Sequence, residues 1–421
     1  MTHYTTMSSN LKRGILTFSK RISEGLSRPE YKFVSQMIYG LLCSQSCHLS
    51  KISRALNENI LLKKTIERLS RNLAAFSKGD FLLHRYVSQI KRSFSDRAIL
   101  IIDDGDITKP CSTKMEGLRI VHDGSTGTNR PGYHMLDVVA LTPEHKAPIG
   151  VYTRVYSAGE DTFISGTDET LKALRFLRMH FNRNNVRALD RGFDANAFIE
   201  DFIKHKEKFV IRMRSDRNVI YKGKTTKMAK LAERFKGKFV LRFKKKNKKR
   251  VDCKMSVVPV RLCFMPDVEL NLVICHGLGQ ESMMLLTNLK SDDKRISLTV
   301  AKVYLLRWRI EEFHGFKKQQ FGFEDFRVRS LNAIRTLDLL LTIAIGYIGL
   351  MSESSDDRRL AMELISSSKR IYDVPKFKLF ALADGIFVVL SKGKPGISHL
   401  LKKKRRCGQL CLFPETFLST A

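Results

Sequence analysis

Residues 97–106 read RAILIIDDGD, an unbroken apolar run closed by three acids within four positions. Such a run is expected as a buried strand, and its acids then emerge at a sheet end, where α/β folds gather ligands and catalytic groups. On its N-terminal side, residues 1–95 carry helical spacing and no strand alternation. On its C-terminal side, strands are expected at 133–141 (YHMLDVVAL) and 149–156, with an amphipathic helix over 167–181. The short run VRAL at 186–189 leads directly into Asp190, a helix is expected to begin near Asp194, and 209–213 reads as another strand. Strands interleaved with helices argue for an α/β core.

From about 215 to 290 the pattern changes to strands separated by basic loops, with FVLRF, MSVVPVRLCF, ELNLVICHG and MMLLTNLK as the strands. The segment 235–250 is dense in lysine and arginine, including Lys244, Lys245 and Lys246. It reads either as a solvated hairpin loop or as a loop that contacts phosphates. A helix is expected to resume at Thr299, a suitable N-cap, and to run through VAKVYLLRWRIEEFHGFKKQQ; an apolar helix follows over 334–351. Within 1–95, Leu49, Ile52, Leu56, Ile60, Ile66, Leu69 and Leu73 recur at helical spacing, with Asn57-Glu58-Asn59 as a turn. The second of these helices carries Lys63, Lys64, Arg68 and Arg71, so the pair reads as a helix-turn-helix or as plain packing helices.

The 421 residues carry 75 Lys+Arg against 42 Asp+Glu, a formal charge of +33. That balance makes a polyanion the expected partner, nucleic acid ahead of an acidic membrane. With 43% hydrophobic and 28% charged residues the composition is globular, which excludes a disordered or fibrous chain. The eight cysteines contain no CxxC pair; Cys43 and Cys47 beside His48 lack the second pair a zinc site needs, so buried thiols are expected. The first residues lack a secretory apolar stretch, and the run 339–351 is too short to span a bilayer. A cytoplasmic protein with no membrane partner is expected.

Asp103 and Asp104 end one apolar strand and Asp190 ends another. At about 100° per residue, Tyr304, Arg307, Glu311 and Lys318 share one narrow stripe of the helix that follows. Val303, Leu306, Ile310 and Phe313 form the adjoining apolar face, which seats the stripe at the rim of the core. One carboxylate flanked by two cations and a phenol suits a phosphate backbone held beside a metal ligand.

Tyr304, Arg307, Glu311 and Lys318 reproduce a Y-(2)-R-(3)-E-(6)-K signature, within YLLRWRIEEFHGFKK. In this the chain resembles a branch of bacterial DDE insertion-sequence transposases of the retroviral-integrase-like superfamily. LDRGFDAN is similar to the family's second-aspartate motif and IIDDGDITKP to its first. The acids follow in the family's order, with 87 residues from Asp103 to Asp190 and 121 from Asp190 to Glu311. The resemblance covers about 96–350. It implies an α/β, RNase H-like catalytic core in two parts, 96–214 and 296–350, interrupted by a strand-rich basic insertion at 215–295. Helical regions flank it: 1–95 for binding the element's ends and 351–421 for dimerisation.

The resemblance also implies roles. Asp103 or Asp104, Asp190 and Glu311 are similar to the catalytic triad that binds Mg²⁺, with Mn²⁺ as a substitute; Asp103, with Asp106 in a D-x-x-D form, is preferred over Asp104. Tyr304, Arg307 and Lys318 resemble the residues that hold phosphates of the element's end. Trp308 matches a common family residue but reads equally as packing under the helix. The implied activity is metal-dependent cleavage at the ends of the chain's own insertion sequence and 3′-OH transfer into target DNA. Its implied partners are double-stranded DNA, as terminal inverted repeats and target, and a second copy in a homodimer on DNA. A bacterial, nucleoid-associated location follows. A DNA-binding relic without catalysis and an RNase H-like nuclease are the alternatives.

Overall fold

Five helices open the chain: α1 (Thr2–Ile22), α2 (Arg28–Ser44), α3 (Leu49–Leu56), α4 (Leu62–Ala75) and α5 (Gly79–Ile90). The computed structural model describes residues 2–94, 96–124, 126–142, 147–244, 250–353, 358–370 and 378–401. The turn between α3 and α4 falls at Asn57, whose left-handed backbone (φ 44°) caps α3. Asparagine tolerates that conformation better than most residues. Arg68 of α4 is held by Glu58 at 2.5 Å and by Gln36 at 2.8 Å, whereas Lys63, Lys64 and Arg71 are exposed. Cys43 and Cys47 are buried thiols.

The α/β part begins with β1 (Ile99–Thr108), β2 (Arg119–Asp123), β3 (Thr128–Leu141) and β4 (Ile149–Tyr156). It continues through α6 (Gly166–His180), β5 (Val186–Leu189), α7 (Asn196–Lys204) and β6 (Phe209–Met213). All four residues Ile99–Ile102 are buried, as a central strand requires. β1 pairs antiparallel with β3 and parallel with β5, β5 pairs parallel with β6, and β4 pairs antiparallel with the outer side of β3. The order through the core is therefore β4-β3-β1-β5-β6, with β2 also on the outer side of β3.

The insertion comprises β7 (Asn218–Tyr221), β8 (Lys224–Lys227), α8 (Met228–Arg234), β9 (Phe239–Lys244), β10 (Arg250–Leu262), β11 (Met265–His276) and β12 (Met283–Thr287). It does not form a sheet of its own. β12 pairs antiparallel with β6, from Met284 opposite Met213 to Thr287 opposite Val210. The insertion thereby extends the core into one 12-stranded sheet.

The chain then returns as α9 (Asp293–Leu306) and α10 (Arg309–Gly315), followed by a wide π-turn at Phe316–Gln320. Two expectations are corrected here. The helix starts at Asp293 rather than Thr299, because the Asp292 side chain accepts the Arg295 N–H at 2.9 Å and caps it. The helix is also not continuous: it tightens at Arg307–Trp308, where the Ile310 N–H bonds the Arg307 carbonyl, and widens at Phe316. α9 lies across the seam, against β5, β6 and β10 to β12, while α10 packs on β1 and β3.

The last helices are α11 (Leu331–Glu353), α12 (Arg358–Ser367), α13 (Leu379–Lys392) and α14 (Ser398–Leu401). α11 is long and apolar enough to cross a membrane, but 89% of its apolar window is buried within the protein. It packs on β4, α2 and α4 as a core helix. A Cβ at Gly346 of α11 would overlap the Tyr86 hydroxyl, which passes that point to reach the Gly150 carbonyl at 2.9 Å.

Candidate active site

Parallel pairing of β1 with β5 sets Ile99 beside Val186 and Ile102 beside Leu189, an offset of 87 residues. The next residue on each strand is Asp103 and Asp190, so two acids far apart in sequence leave the sheet side by side. α9 adds the Tyr304 hydroxyl, which donates to Asp190 Oδ1 at 2.7 Å. At the end of α9 the Arg307 guanidinium reaches two carboxylates, Asp103 Oδ2 from Nη1 at 3.5 Å and Glu311 Oε1 from Nη2 at 2.7 Å. Arg212 of β6 stands 3.8 Å from Asp190 Oδ1. Two carboxylates from two segments thus meet on one arginine that is only 9% exposed, and Asp190 ends the strand beside Asp103.

The charges act on one another strongly because water is largely excluded. Burial pushes the Asp103 carboxyl up to about 6, despite the opposing pull of His314 and Arg307 and with the help of Asp190 and Glu311. Burial also opposes ionisation of Asp190, but Arg307, the Tyr304 hydroxyl and the Arg191 N–H hold it below the usual carboxylate range. Tyr304 is pushed up to about 12 by burial and by the adjacent Asp190. Burial alone would lower Arg307; Asp190 and Asp103 more than reverse this and keep it charged.

Asp104 lies on the opposite face of β1. Its carboxylate accepts the Tyr156 hydroxyl at 2.9 and 3.0 Å, and His134 is 3.9 Å away. Of the two register choices, then, Asp103 joins Asp190 and Glu311 and Asp104 does not. Lys318 leaves the stripe expected of an unbroken helix. The π-turn carries it to Asp106 Oδ2 at 3.6 Å and Glu324 Oε1 at 3.2 Å. Trp308 is 56% exposed, so it does not pack under the helix. Lys244 ends β9, and Lys245 and Lys246 lie outside the described residues.

Beneath the carboxylates is a cluster that sequence reasoning missed. Lys317 is fully buried, 3.0 and 3.1 Å from the oxygens of Asp137 and 2.6 Å from Asp338 Oδ1, and 3.3 Å from Thr153 Oγ1. Asp137 is the direct ladder partner of Asp103, and its Oδ2 is 3.2 Å from His314 Nε2. Burial opposes charge on both Lys317 and Asp137; each holds the other ionised, with Lys317 above and Asp137 below its ordinary value. A signal existed, since Asp137 and Asp338 are each a lone acid within an apolar run, and such acids require a buried cation.

Among the described residues no three His, Cys, Asp or Glu side chains stand close enough together to hold a metal ion. The donor set nevertheless suits a hard divalent cation. It consists of carboxylate oxygens only, and they are already gathered around a positive charge, that of Arg307.

Two strand-end acids, a helix-borne glutamate and a chain of this positive charge suit an enzyme that acts on nucleic acid. The chain belongs to the transposase DDE domain family, whose sequence model matches residues 95–346, and it is a DNA transposase. Among solved structures it is similar to a piggyBac transposase in a synaptic complex with hairpin DNA. That likeness has 10% identity and a TM-score of 0.44, covering 93% of this chain and 81% of the other.

Proposed function

We propose that this transposase moves its own insertion sequence by cut-and-paste transposition, in the manner of the bacterial branch with the Y-R-E-K signature. The reading rests on one observation above all: Asp103 and Glu311 meet on Arg307, and Asp190 leaves the sheet beside Asp103 at the end of the parallel pair β1–β5. An RNase H-like core is supported by the order β4-β3-β1-β5-β6, in which β3 alone runs against the other four.

Asp103, Asp190 and Glu311 are the residues that would hold divalent ions, Mg²⁺ first and Mn²⁺ as its substitute. Two such ions in one carboxylate site activate an attacking water or 3′-OH and stabilise the leaving oxygen. Arg307 has the planar fork that grips a phosphate through two hydrogen bonds, and it fixes the scissile strand over the acids. Tyr304 orients Asp190 through its hydroxyl. Lys318 supplies a second phosphate contact from the π-turn once the strand competes with Asp106 and Glu324. Exposed Trp308, beside Arg307, offers a flat face to a base, and Lys244, Lys245 and Lys246 would add phosphate contacts.

Helices α3 and α4 would recognise the terminal repeats through Lys63, Lys64 and Arg71. The C-terminal helices would support a homodimer on DNA, and the protein would act at the nucleoid of a bacterial cytoplasm. The test is a cleavage assay with Mg²⁺ on a plasmid carrying the element with native flanks, beside Asp190→Asn and Glu311→Gln. Discrete cuts at the element's ends that vanish in both variants are expected. Binding without any cut would sink the catalytic reading, and nicks scattered over the plasmid would replace it with a nuclease.

A further inference from the structure

The carboxylates of this site are not waiting apart for an ion; a side chain already stands among them. Arg307 is almost wholly buried and touches Asp103 and Glu311, and Asp190 ends the strand beside Asp103. Its position has structural causes. Arg307 caps α9 where the helix tightens into the Arg307–Trp308 turn, which aims the guanidinium back over β1 and β5. Glu311 one turn later on α10 then meets it at i, i+4 spacing. Among the described residues no three acids come close enough to hold a metal in this arrangement.

Given the triad reading above, on which this inference rests, we propose that Arg307 is an internal counter-ion that excludes metal from the free enzyme. A DNA phosphate draws it off and so opens the site. The physical argument is one of competition. Arginine and a divalent cation cannot occupy the same ring of carboxylates, because the two positive charges repel across a site with little water. Removing Arg307 with nothing in exchange leaves three acids facing one another, which is unfavourable. A phosphate oxygen pair offers the guanidinium an equivalent bidentate partner. The arginine moves from the acids to the backbone, and the acids become free to take the metal. Metal affinity and DNA affinity are thereby coupled, and the coupling guards against cutting or metal loading without a bound end.

The arrangement is tested by binding alone. Mn²⁺ is titrated into the intact chain without DNA, and free Mn²⁺ is followed by its electron paramagnetic resonance signal. Wild type, Arg307→Gln, Arg307→Met and each of these combined with Asp190→Asn are compared, with circular dichroism to confirm folding. Arg307→Gln and Arg307→Met should bind Mn²⁺ about tenfold more tightly than wild type, within the range common for coupled sites. Adding Asp190→Asn should abolish that gain. Unchanged or weaker affinity in folded Arg307 variants, with loss on adding Asp190→Asn, overturns the gating role and leaves the triad standing. Affinity indifferent to Asp190→Asn in every background overturns both the gate and the triad. If both Arg307 variants misfold, Arg307→Ala, which removes the charge with a smaller side chain, is titrated in their place. A gain in Mn²⁺ affinity there supports the gate and none refutes it.

Discussion

Replacing Lys317 by methionine should be among the most damaging single changes in the chain, although the residue contacts no solvent. The lysine lies 3.0 Å from Asp137 and 2.6 Å from Asp338, all three fully buried. Methionine keeps the length and most of the apolar stem, so the change isolates the charge. Removing one partner of a buried ion group typically costs about 3–5 kcal/mol, because the remaining charges are stranded. Here two carboxylates are stranded instead of one, which places the expected loss at the upper end of that range. For a domain of this size that corresponds to a fall in Tm of roughly 5–10 °C. In the variant, Asp338, already raised by burial, would rise further, and Asp137 would rise from its depressed value with only His314 left beside it. A carboxyl with a raised folded pKa destabilises above that pKa and ceases to do so as pH falls below its unfolded value. The gap from wild type should therefore narrow as pH is lowered from about 8 to about 5. Thermal unfolding across pH measures this, and adding Asp338→Asn to Lys317→Met should recover part of the loss. A variant within about 1 kcal/mol of wild type at neutral pH would refute the reasoning.

Asp103→Asn should abolish cleavage yet raise stability at neutral pH. The Asp103 carboxyl is pushed up to about 6 by burial, so its ionisation opposes folding above that pH and does not below the unfolded carboxylate range. The gain should reach about 1–3 kcal/mol near pH 7.5 and fade towards pH 4 in denaturant titrations; equal midpoints at both pH values would contradict it. On α4, Lys63→Ala with Arg71→Ala should weaken binding to end-containing DNA and flatten its salt dependence by roughly 0.9 in slope per lost contact. Arg68→Ala should instead lower stability through the loss of Glu58 and Gln36, with little effect on the slope. A steeper binding defect from Arg68→Ala than from the pair would remove α4 as the contact helix.

The parts of this site that were legible in the sequence are those set by strand periodicity. Two apolar runs, each ended by an acid, are enough to place Asp103 and Asp190 together once the strands pair in parallel, and the pairing offset equals their separation in the chain. The strands β2, β7 and β8 were not legible, because they are only four or five residues long, too short to show a period, and β8 is wholly polar. The joining of β12 to β6 was equally hidden. Each strand alone reads as an ordinary buried segment, and backbone pairing leaves no mark on side-chain type.

The departure of Lys318 from the helical stripe has a cause that links stability to function. An unbroken helix would place Lys318 on the stripe of Glu311, two turns further along, and Lys317 on the apolar face with Ile310 and Phe313. The π-turn at Phe316–Gln320 lets Lys317 enter the core between Asp137 and Asp338, and Lys318 is carried round to Asp106 and Glu324. Wide turns of this kind are found mostly at functional sites, where they re-aim a side chain at the expense of regular hydrogen bonding. Here the expense is offset by the buried ion group that Lys317 forms within the wide turn. The same group fixes Asp137 behind Asp103 and His314 beside it, so the strand-end acid is backed by charges that cannot move. A rigid floor under Asp103 and a mobile arginine above it are complementary features. The first holds the acid in place while the second exchanges carboxylates for phosphate, and a lysine on the apolar face of the helix, in phase with Ile310 and Phe313, is the sequence trace of the floor.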